Sequence, residues 1–69
     1  MIELYSKENC GACVQAKMIM DENKIEYKEI IITPENIEEY NLTTAPTIFK
    51  NNERMDGYHG YDKLLQFLK

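Results

Sequence analysis

Two cysteines separated by two residues lie where a strand pattern changes to a helix pattern, in the run Cys10-Gly11-Ala12-Cys13. Before them, Ile2 and Leu4 alternate with other residues as a short strand requires. Asn9 offers a helix cap, and an apolar stripe at helical spacing predicts a helix that ends near Asn23-Lys24. The stripe consists of Ala12, Ala16, Ile19, Met20 and Asn23. A chain with this junction places both thiols in the first turn of a helix that follows a strand.

The next two segments predict a second strand and a second helix. Residues 25–32 are rich in β-branched and aromatic side chains, which is typical of a strand. Thr33 suits an N-cap and Pro34 the first helical position, so a short helix is expected through about Tyr40. We expect Ile37 and Tyr40 to anchor this helix to the core.

The remaining segments predict a hairpin and a final helix. Residues 47–50 and 54–56 flank the turn-prone segment Asn51-Asn52-Glu53. Apolar residues then recur at helical spacing at Tyr61, Leu64, Leu65 and Leu68. The order β-α-β-α-β-β-α predicts an α/β fold in which three helices flank a four-stranded mixed sheet. Because so short a chain has room for one hydrophobic core, we expect a single domain over residues 1–69.

The charge pattern argues against several classes of partner. The formal net charge is −4, and the eight basic residues are scattered rather than clustered, so no nucleic-acid surface is expected. No stretch approaches the 18 or so apolar residues of a membrane span, and residues 1–6 do not resemble a secretory signal. We therefore expect a cytoplasmic protein, in which a cysteine pair is redox-active or metal-binding more often than structural.

Redox chemistry is the function that the position of the cysteine pair favours. A helix N-terminus stabilises a thiolate, because its free N–H groups and dipole attract negative charge. We expect Cys10 to be the exposed attacking thiol and Cys13, one turn further on, to resolve the mixed disulfide. Three alternatives stay open at this point: a zinc ion shared by two copies, a purely structural disulfide, and two buried inert cysteines.

Five segments of the sequence resemble the glutaredoxins. They are the run from Tyr5 to Cys13, Ala16-Lys17, Ile25-Glu26-Tyr27, Ala45-Pro46 and Gly57-Tyr58. The same five segments resemble, to the same degree, the small glutaredoxin-like redoxins of the NrdH type, which reduce ribonucleotide reductase. The similarity extends over essentially the whole chain with its motifs in order, and it implies a thioredoxin-like fold.

The resemblance also implies roles for residues outside the cysteine pair. It implies a cis bond before Pro46, with Pro46 beside the cysteines and the backbone of Ala45 pairing with a bound peptide or glutathione. It implies that Lys7 binds a glutathione carboxylate and that Gly57 and Tyr58 flank the bound thiol partner. The alternatives are that Lys7 is a solvated surface residue, that Gly57 serves the loop backbone and that Tyr58 covers the edge of the core.

The only histidine, His59, follows Tyr58 in the same predicted loop. Thiol exchange at an activated cysteine needs no imidazole base. We therefore expect His59 to lie on the loop surface or to cap the final helix.

The electron donor is inferred from the positions at which this sequence differs from the glutaredoxin pattern. Asp56 replaces the first glycine of the glutathione motif, and Gly60 stands where its aspartate is expected. His59-Gly60 likewise replaces an Arg-Pro pair typical of the ribonucleotide-reductase redoxins. The carboxylates of Glu8 and Asp56 would repel anionic glutathione, so an NADPH-dependent flavoprotein such as thioredoxin reductase is the favoured donor and glutathione the alternative.

The function that follows is reduction of disulfides by dithiol exchange through Cys10 and Cys13, with no bound cofactor and no metal site. The expected partner of this monomer is a disulfide-containing protein, and the resemblance names ribonucleotide reductase as a client. The alternative function is that of a glutathione-dependent glutaredoxin that binds or carries an iron–sulfur cluster between two copies.

Overall fold

Seven elements make up the computed structural model, which describes residues 1–69. In chain order they are β1 (Ile2–Ser6), α1 (Gly11–Glu22), β2 (Lys28–Ile31), α2 (Pro34–Tyr40), β3 (Thr47–Lys50), β4 (Glu53–Asp56) and α3 (Tyr61–Leu68). This is the predicted order of elements. None of the three helices is both long and apolar enough to cross a bilayer.

The four strands form one mixed sheet in the order β2-β1-β3-β4. β1 pairs in parallel with β2, with Tyr5 opposite Ile30, and antiparallel with β3, with Tyr5 opposite Thr47. β3 and β4 form an antiparallel hairpin. The predicted combination of one βαβ unit and one hairpin in a mixed sheet is therefore confirmed.

The main core lies on the face of the sheet that α1 and α3 cover. The cluster joins side chains from two strands and these two helices: Leu4, Ala16, Ile19, Met20, Ile48, Leu64 and Leu68. The predicted stripe of α1 is confirmed at its centre, although Cys13 rather than Ala12 is buried at its N-terminal end. The buried leucines of α3 are two of the four residues predicted from its spacing.

An aromatic cluster packs the opposite face of the sheet. The ring of Tyr5 lies 5.5 Å from that of Tyr40 and 5.3 Å from that of Phe49, measured between centroids. Burial, reinforced by a hydrogen bond with Tyr40, raises the pKa of Tyr5 to about 12. This cluster is the apolar contact between α2 and the sheet.

The expectation that Ile37 and Tyr40 anchor α2 in the core is half wrong. No residue of α2 is buried, and the Ile37 side chain is 43% exposed. Tyr40 is 39% exposed, yet it packs its ring on the aromatic cluster. A two-turn helix at the edge of so small a core presents little surface to it, so a single aromatic contact replaces a buried stripe.

Three predicted boundaries also need correction. Asn9 does not cap α1, because its φ is 57° and Cys10 holds the N-cap position instead. β2 begins at Lys28 and not at Ile25, since residues 25–27 cross from the end of α1 to the sheet edge. The hairpin turn is Asn51-Asn52, and β4 already starts at Glu53.

Both ends of α2 are hydrogen-bonded. Thr33 and Asn36 form a reciprocal capping box at the N-terminus, which confirms the predicted start of the helix at Pro34. At the C-terminus, the Arg54 guanidinium of β4 donates to the carbonyls of Tyr40 (2.7 Å) and Asn41 (3.0 Å). Arg54 therefore ties the hairpin to the last turn of α2.

Arg54→Ala is expected to lower the free energy of unfolding by about 1–2 kcal/mol, because it removes two hydrogen bonds to helix-end carbonyls and leaves them unpaired. Arg54→Lys should recover less than half of this loss, since an ammonium cannot present the planar fork. Urea denaturation measures both, with Glu53→Ala as the control at a neighbouring exposed position. Unfolding of Arg54→Ala at the wild-type midpoint would contradict the assigned role.

Candidate functional site

The two cysteines form a disulfide in the first turn of α1. Their Cα atoms are 5.2 Å apart, which is within the usual span of a disulfide. Cys10 is the N-cap residue, and its Sγ accepts a hydrogen bond from the backbone N–H of Cys13 at 3.1 Å. One of the free N–H groups at the helix start therefore points directly at the sulfur of Cys10.

The two sulfurs differ in their exposure. Cys10 is half-buried, whereas Cys13 is 1% exposed and lies beneath it. A partner arriving from solvent can reach Cys10, while Cys13 is reached only through the Cys10–Cys13 bond. The geometry therefore distinguishes an outer sulfur from an inner one.

Beside the disulfide lies the segment 43–46, here called the proline loop. Its Ala45–Pro46 peptide bond is cis, as the resemblance implied, and Pro46 is buried. The carbonyl oxygen of Ala45 is 3.9 Å from the Sγ of Cys10. Ala45 lies outside the strands, and no turn or loop hydrogen bond uses its backbone. A free N–H and C=O therefore lie next to the outer sulfur.

The segment 57–60, here called the β4–α3 loop, is joined to the proline loop. The N–H of Gly57 donates to the carbonyl of Pro46 at 2.7 Å, which continues the β3–β4 pairing by one step. Gly57 has a φ of +83°, a conformation that side chains disfavour. Tyr58 is half-buried and packs against the edge of the core, while its expected place beside a bound thiol partner stays a prediction.

His59 is exposed in the β4–α3 loop and does not cap α3. Gly60 is the N-cap of that helix, and no side chain bonds to the cap. The Nε2 atom of His59 lies 2.6 Å from the carbonyl oxygen of Asp56. The surface position is therefore confirmed, and the capping role is wrong.

A groove of about 140 Å³ runs along the other side of the proline loop. We call it the Lys7 groove. Its lining residues are Lys7, Ile32, Ile37, Leu42, Thr43, Thr44 and Ala45. Lys7 and Ala45 both line it, and its wall is mostly aliphatic. The sequence contains these aliphatic residues on both sides of α2, and only the fold places them on one surface.

A polar cluster built around the buried hydroxyl of Ser6 supports the segment from which the cysteines emerge. Ser6, the last residue of β1, is 1% exposed, and its hydroxyl donates to Glu29 Oε2 at 2.7 Å. Lys17 of α1 donates to the same oxygen at 2.9 Å. These two hydrogen bonds hold the pKa of Glu29 below its usual range, although partial burial acts in the opposite direction. The cluster, which sequence reasoning missed, joins β1, β2 and α1 near the start of the site.

The negative charge of Asp56 is partly compensated by the neighbouring Arg54. The Asp56 carboxylate accepts a hydrogen bond from Arg54 Nε at 2.8 Å, and the two form an ion pair. The guanidinium also lies over the Phe49 ring, 5.6 Å from its centroid. Much of the negative charge that Asp56 was expected to present to a partner is therefore compensated within the chain.

Two kinds of comparison place this geometry among known proteins. The family model described as Glutaredoxin matches residues 2–55, which include both cysteines and the proline loop. The match ends before Gly57, so the β4–α3 loop lies outside it. No curated protein sequence matches the chain at a significant level.

Several solved structures have the same fold. The thioredoxin-like protein BC3987 is 26% identical over 99% of this chain and 100% of its own, with a TM-score of 0.84. The NrdH-redoxin of Escherichia coli is 18% identical over 94% of this chain and 91% of its own, with a TM-score of 0.82. Glutaredoxin 1 of Francisella tularensis is 24% identical over 94% of this chain and 87% of its own, with a TM-score of 0.69.

The fold, the cysteine pair at the start of α1 and the adjacent cis proline agree with the family match, which covers most of the chain. They support a thiol redox function. The chain belongs to the glutaredoxin family.

Proposed function

We propose that this protein reduces disulfides of protein or peptide partners by dithiol exchange, with Cys10 as the attacking thiol and Cys13 as the resolving thiol. The observation that carries the proposal is the environment of Cys10. Its sulfur accepts the Cys13 N–H at a helix start, is the more exposed of the pair, and lies 3.9 Å from the carbonyl of Ala45. The features that would activate the thiol, expose it to solvent and position a partner are therefore all found at the sulfur of Cys10.

The first step forms a mixed disulfide. The Cys10 thiolate attacks one sulfur of the partner disulfide, a Cys10–partner S–S bond forms, and the partner's other sulfur leaves and takes up a proton. Before the attack, the negative charge on Cys10 is stabilised by the Cys13 N–H and by the helix dipole. The partner backbone pairs with the free N–H and C=O of Ala45 like an added strand, which holds its sulfur near Cys10.

The second step releases the reduced partner. Cys13 loses its proton and attacks Cys10 Sγ, the Cys10–partner bond breaks, and the second partner sulfur leaves as a thiol. The two electrons come from the cysteine pair, which ends as the Cys10–Cys13 disulfide. Because Cys13 is buried beneath Cys10, it reaches this bond without competing for the incoming partner.

An NADPH-dependent flavoprotein of the thioredoxin-reductase type is the electron donor we propose, and ribonucleotide reductase is the client. Gly60 has no side chain to hold the amino group of glutathione at the position where many relatives have an aspartate. The aliphatic wall of the Lys7 groove also suits a protein surface better than a small anion. The E. coli NrdH-redoxin, which has the same fold, is described as having a thioredoxin-like activity profile.

Cys13→Ser is expected to accumulate a Cys10–partner adduct, because the attack still occurs and the resolving thiol is absent. Cys10→Ser should abolish disulfide reduction. Mass spectrometry after mixing each pre-reduced variant with a model protein disulfide measures both outcomes. Adducts on Cys13 in the Cys10→Ser variant, with an unreactive Cys13→Ser variant, would invert the two roles.

The same two variants separate the ionisation of the two thiols. We expect the pKa of Cys10, measured in Cys13→Ser, to lie below the value of about 8.5 for free cysteine, because the helix start stabilises its thiolate. Cys13, measured in Cys10→Ser, should show no such lowering. The rate of alkylation by iodoacetamide as a function of pH gives each value. A midpoint near 8.5 for both thiols would remove the activation on which the mechanism depends.

The donor is tested by steady-state turnover of one protein disulfide with two reducing systems. NADPH with a thioredoxin reductase should support faster turnover than millimolar glutathione with glutathione reductase, for the reasons given above. Each reducing system without the protein is the control. Efficient turnover with glutathione and none with the flavoprotein would reverse the donor assignment and leave the chemistry of the cysteine pair unchanged.

A further inference from the structure

The imidazole of His59 lies near the proline loop, beside Gly57 and close to Thr44. A Cβ atom placed on Gly57 would be 3.7 Å from His59 Nε2 and 3.7 Å from Thr44 Cγ2. The ring and the Thr44 side chain therefore flank the same point, one residue before Ala45. A peptide that paired with the backbone of Ala45 would run past the neighbouring Thr44, and therefore near this histidine.

The hydrogen bond to the carbonyl of Asp56 determines which ring nitrogen of His59 can gain or lose a proton. A carbonyl oxygen only accepts, so His59 Nε2 carries the proton in the 2.6 Å contact. In the neutral ring, Nδ1 is then an acceptor that repels a carboxylate. Protonation at Nδ1 turns it into a donor and adds a positive charge, while the contact with Asp56 is unchanged.

Few fixed charges near His59 offset the positive charge that its ring gains on protonation. Asp56 is paired with Arg54, so its carboxylate is compensated. Asp62 lies three residues further on in the first turn of α3, and Lys7 lines the groove to which Thr44 also contributes. Lys7 and protonated His59 would then be two cations near the proline loop, one permanent and one dependent on pH.

We propose that His59 is a specificity residue that favours peptide disulfides with a carboxylate next to the reacting half-cystine, and that this preference strengthens as the ring gains a proton. The proposal depends on the disulfide-reductase function given above and adds the chemical class of its partners. Histidine is the side chain whose ordinary titration falls between about pH 5 and 8. The preference for acidic partners should therefore increase as pH falls through that range.

The test uses peptides of equal length, each carried as a mixed disulfide with a neutral thiol. Glu or Gln is placed next to the cysteine, on its N-terminal side in one pair and on its C-terminal side in the other. Single-turnover rate constants with pre-reduced protein give the Glu-to-Gln ratio, and no electron donor enters the measurement. Titration of the Cys10 thiolate cancels in this ratio, and the peptide glutamate is ionised at both about pH 7.5 and about pH 5.5.

For at least one peptide pair, the Glu-to-Gln ratio should be about two- to five-fold higher at about pH 5.5 than at about pH 7.5. This is the size of effect expected from one exposed charge pair. His59→Gln keeps an N–H donor for the Asp56 carbonyl and should give a ratio independent of pH. His59→Lys, which is charged at both pH values, should give a raised ratio at both. Lys69→Gln removes a charge at the far end of α3 and should behave as the wild type.

Two results would overturn the proposal: a wild-type ratio that stays flat with pH for both peptide pairs, or a rise that persists in His59→Gln. Reduction of the Gln peptides reports separately on the underlying function. If the protein reduced none of the peptides, the disulfide-reductase function would fail and this inference with it. If it reduced Glu and Gln peptides alike at every pH, only the role of His59 would fail.

Discussion

β1 is the element on which the rest of the structure depends. It is hydrogen-bonded on one edge to β2 and on the other to β3, and both of its faces are buried, with Leu4 in the main core and Tyr5 in the aromatic cluster. A strand held from four sides has one possible register, because a shift by one residue would exchange the buried side chains of the two faces. Its C-terminal end, Ser6, is therefore a rigid point from which the cysteine turn begins.

The chemistry of the site is built largely from backbone groups. The sulfur of Cys10 accepts a hydrogen bond from an N–H of the helix, and the neighbouring carbonyl and N–H of Ala45 make no backbone hydrogen bond. These features depend on where the elements begin and end, and they tolerate wide variation in the surrounding side chains. Identities of 18–26% to proteins of the same fold are consistent with such a site. In the proposed function, recognition of a partner would instead depend on the side chains of the proline loop and the β4–α3 loop.

The sequence was most informative where periodicity and local chemistry agreed. The centre of the α1 stripe, the Thr33-Pro34 helix start and the order of the seven elements were predicted correctly, because each is decided by neighbours in the chain. It was least informative about α2. Ile37 has the composition of an anchor, yet it lines an open groove, since the aromatic ring of Tyr40 already makes the contact with the sheet. The compensation of Asp56 by Arg54 was also missed, although the two residues are two apart on one strand and share a face.

What the sequence alone determined is the reactive pair and its place in the fold: two thiols in the first turn of a helix that follows a strand. Spacing and helix geometry suffice for that conclusion, because both are local. Only the tertiary structure decided which sulfur is covered, which backbone groups beside it are free, and which charges reach the partner. Ala45 is brought beside Cys10 by the pairing of β3 with β1, and the side chains of Thr44 and His59 are brought beside Gly57, which pairs with Pro46. The contact between Ala45 and Cys10 joins residues 35 positions apart, and no local pattern in the chain records it.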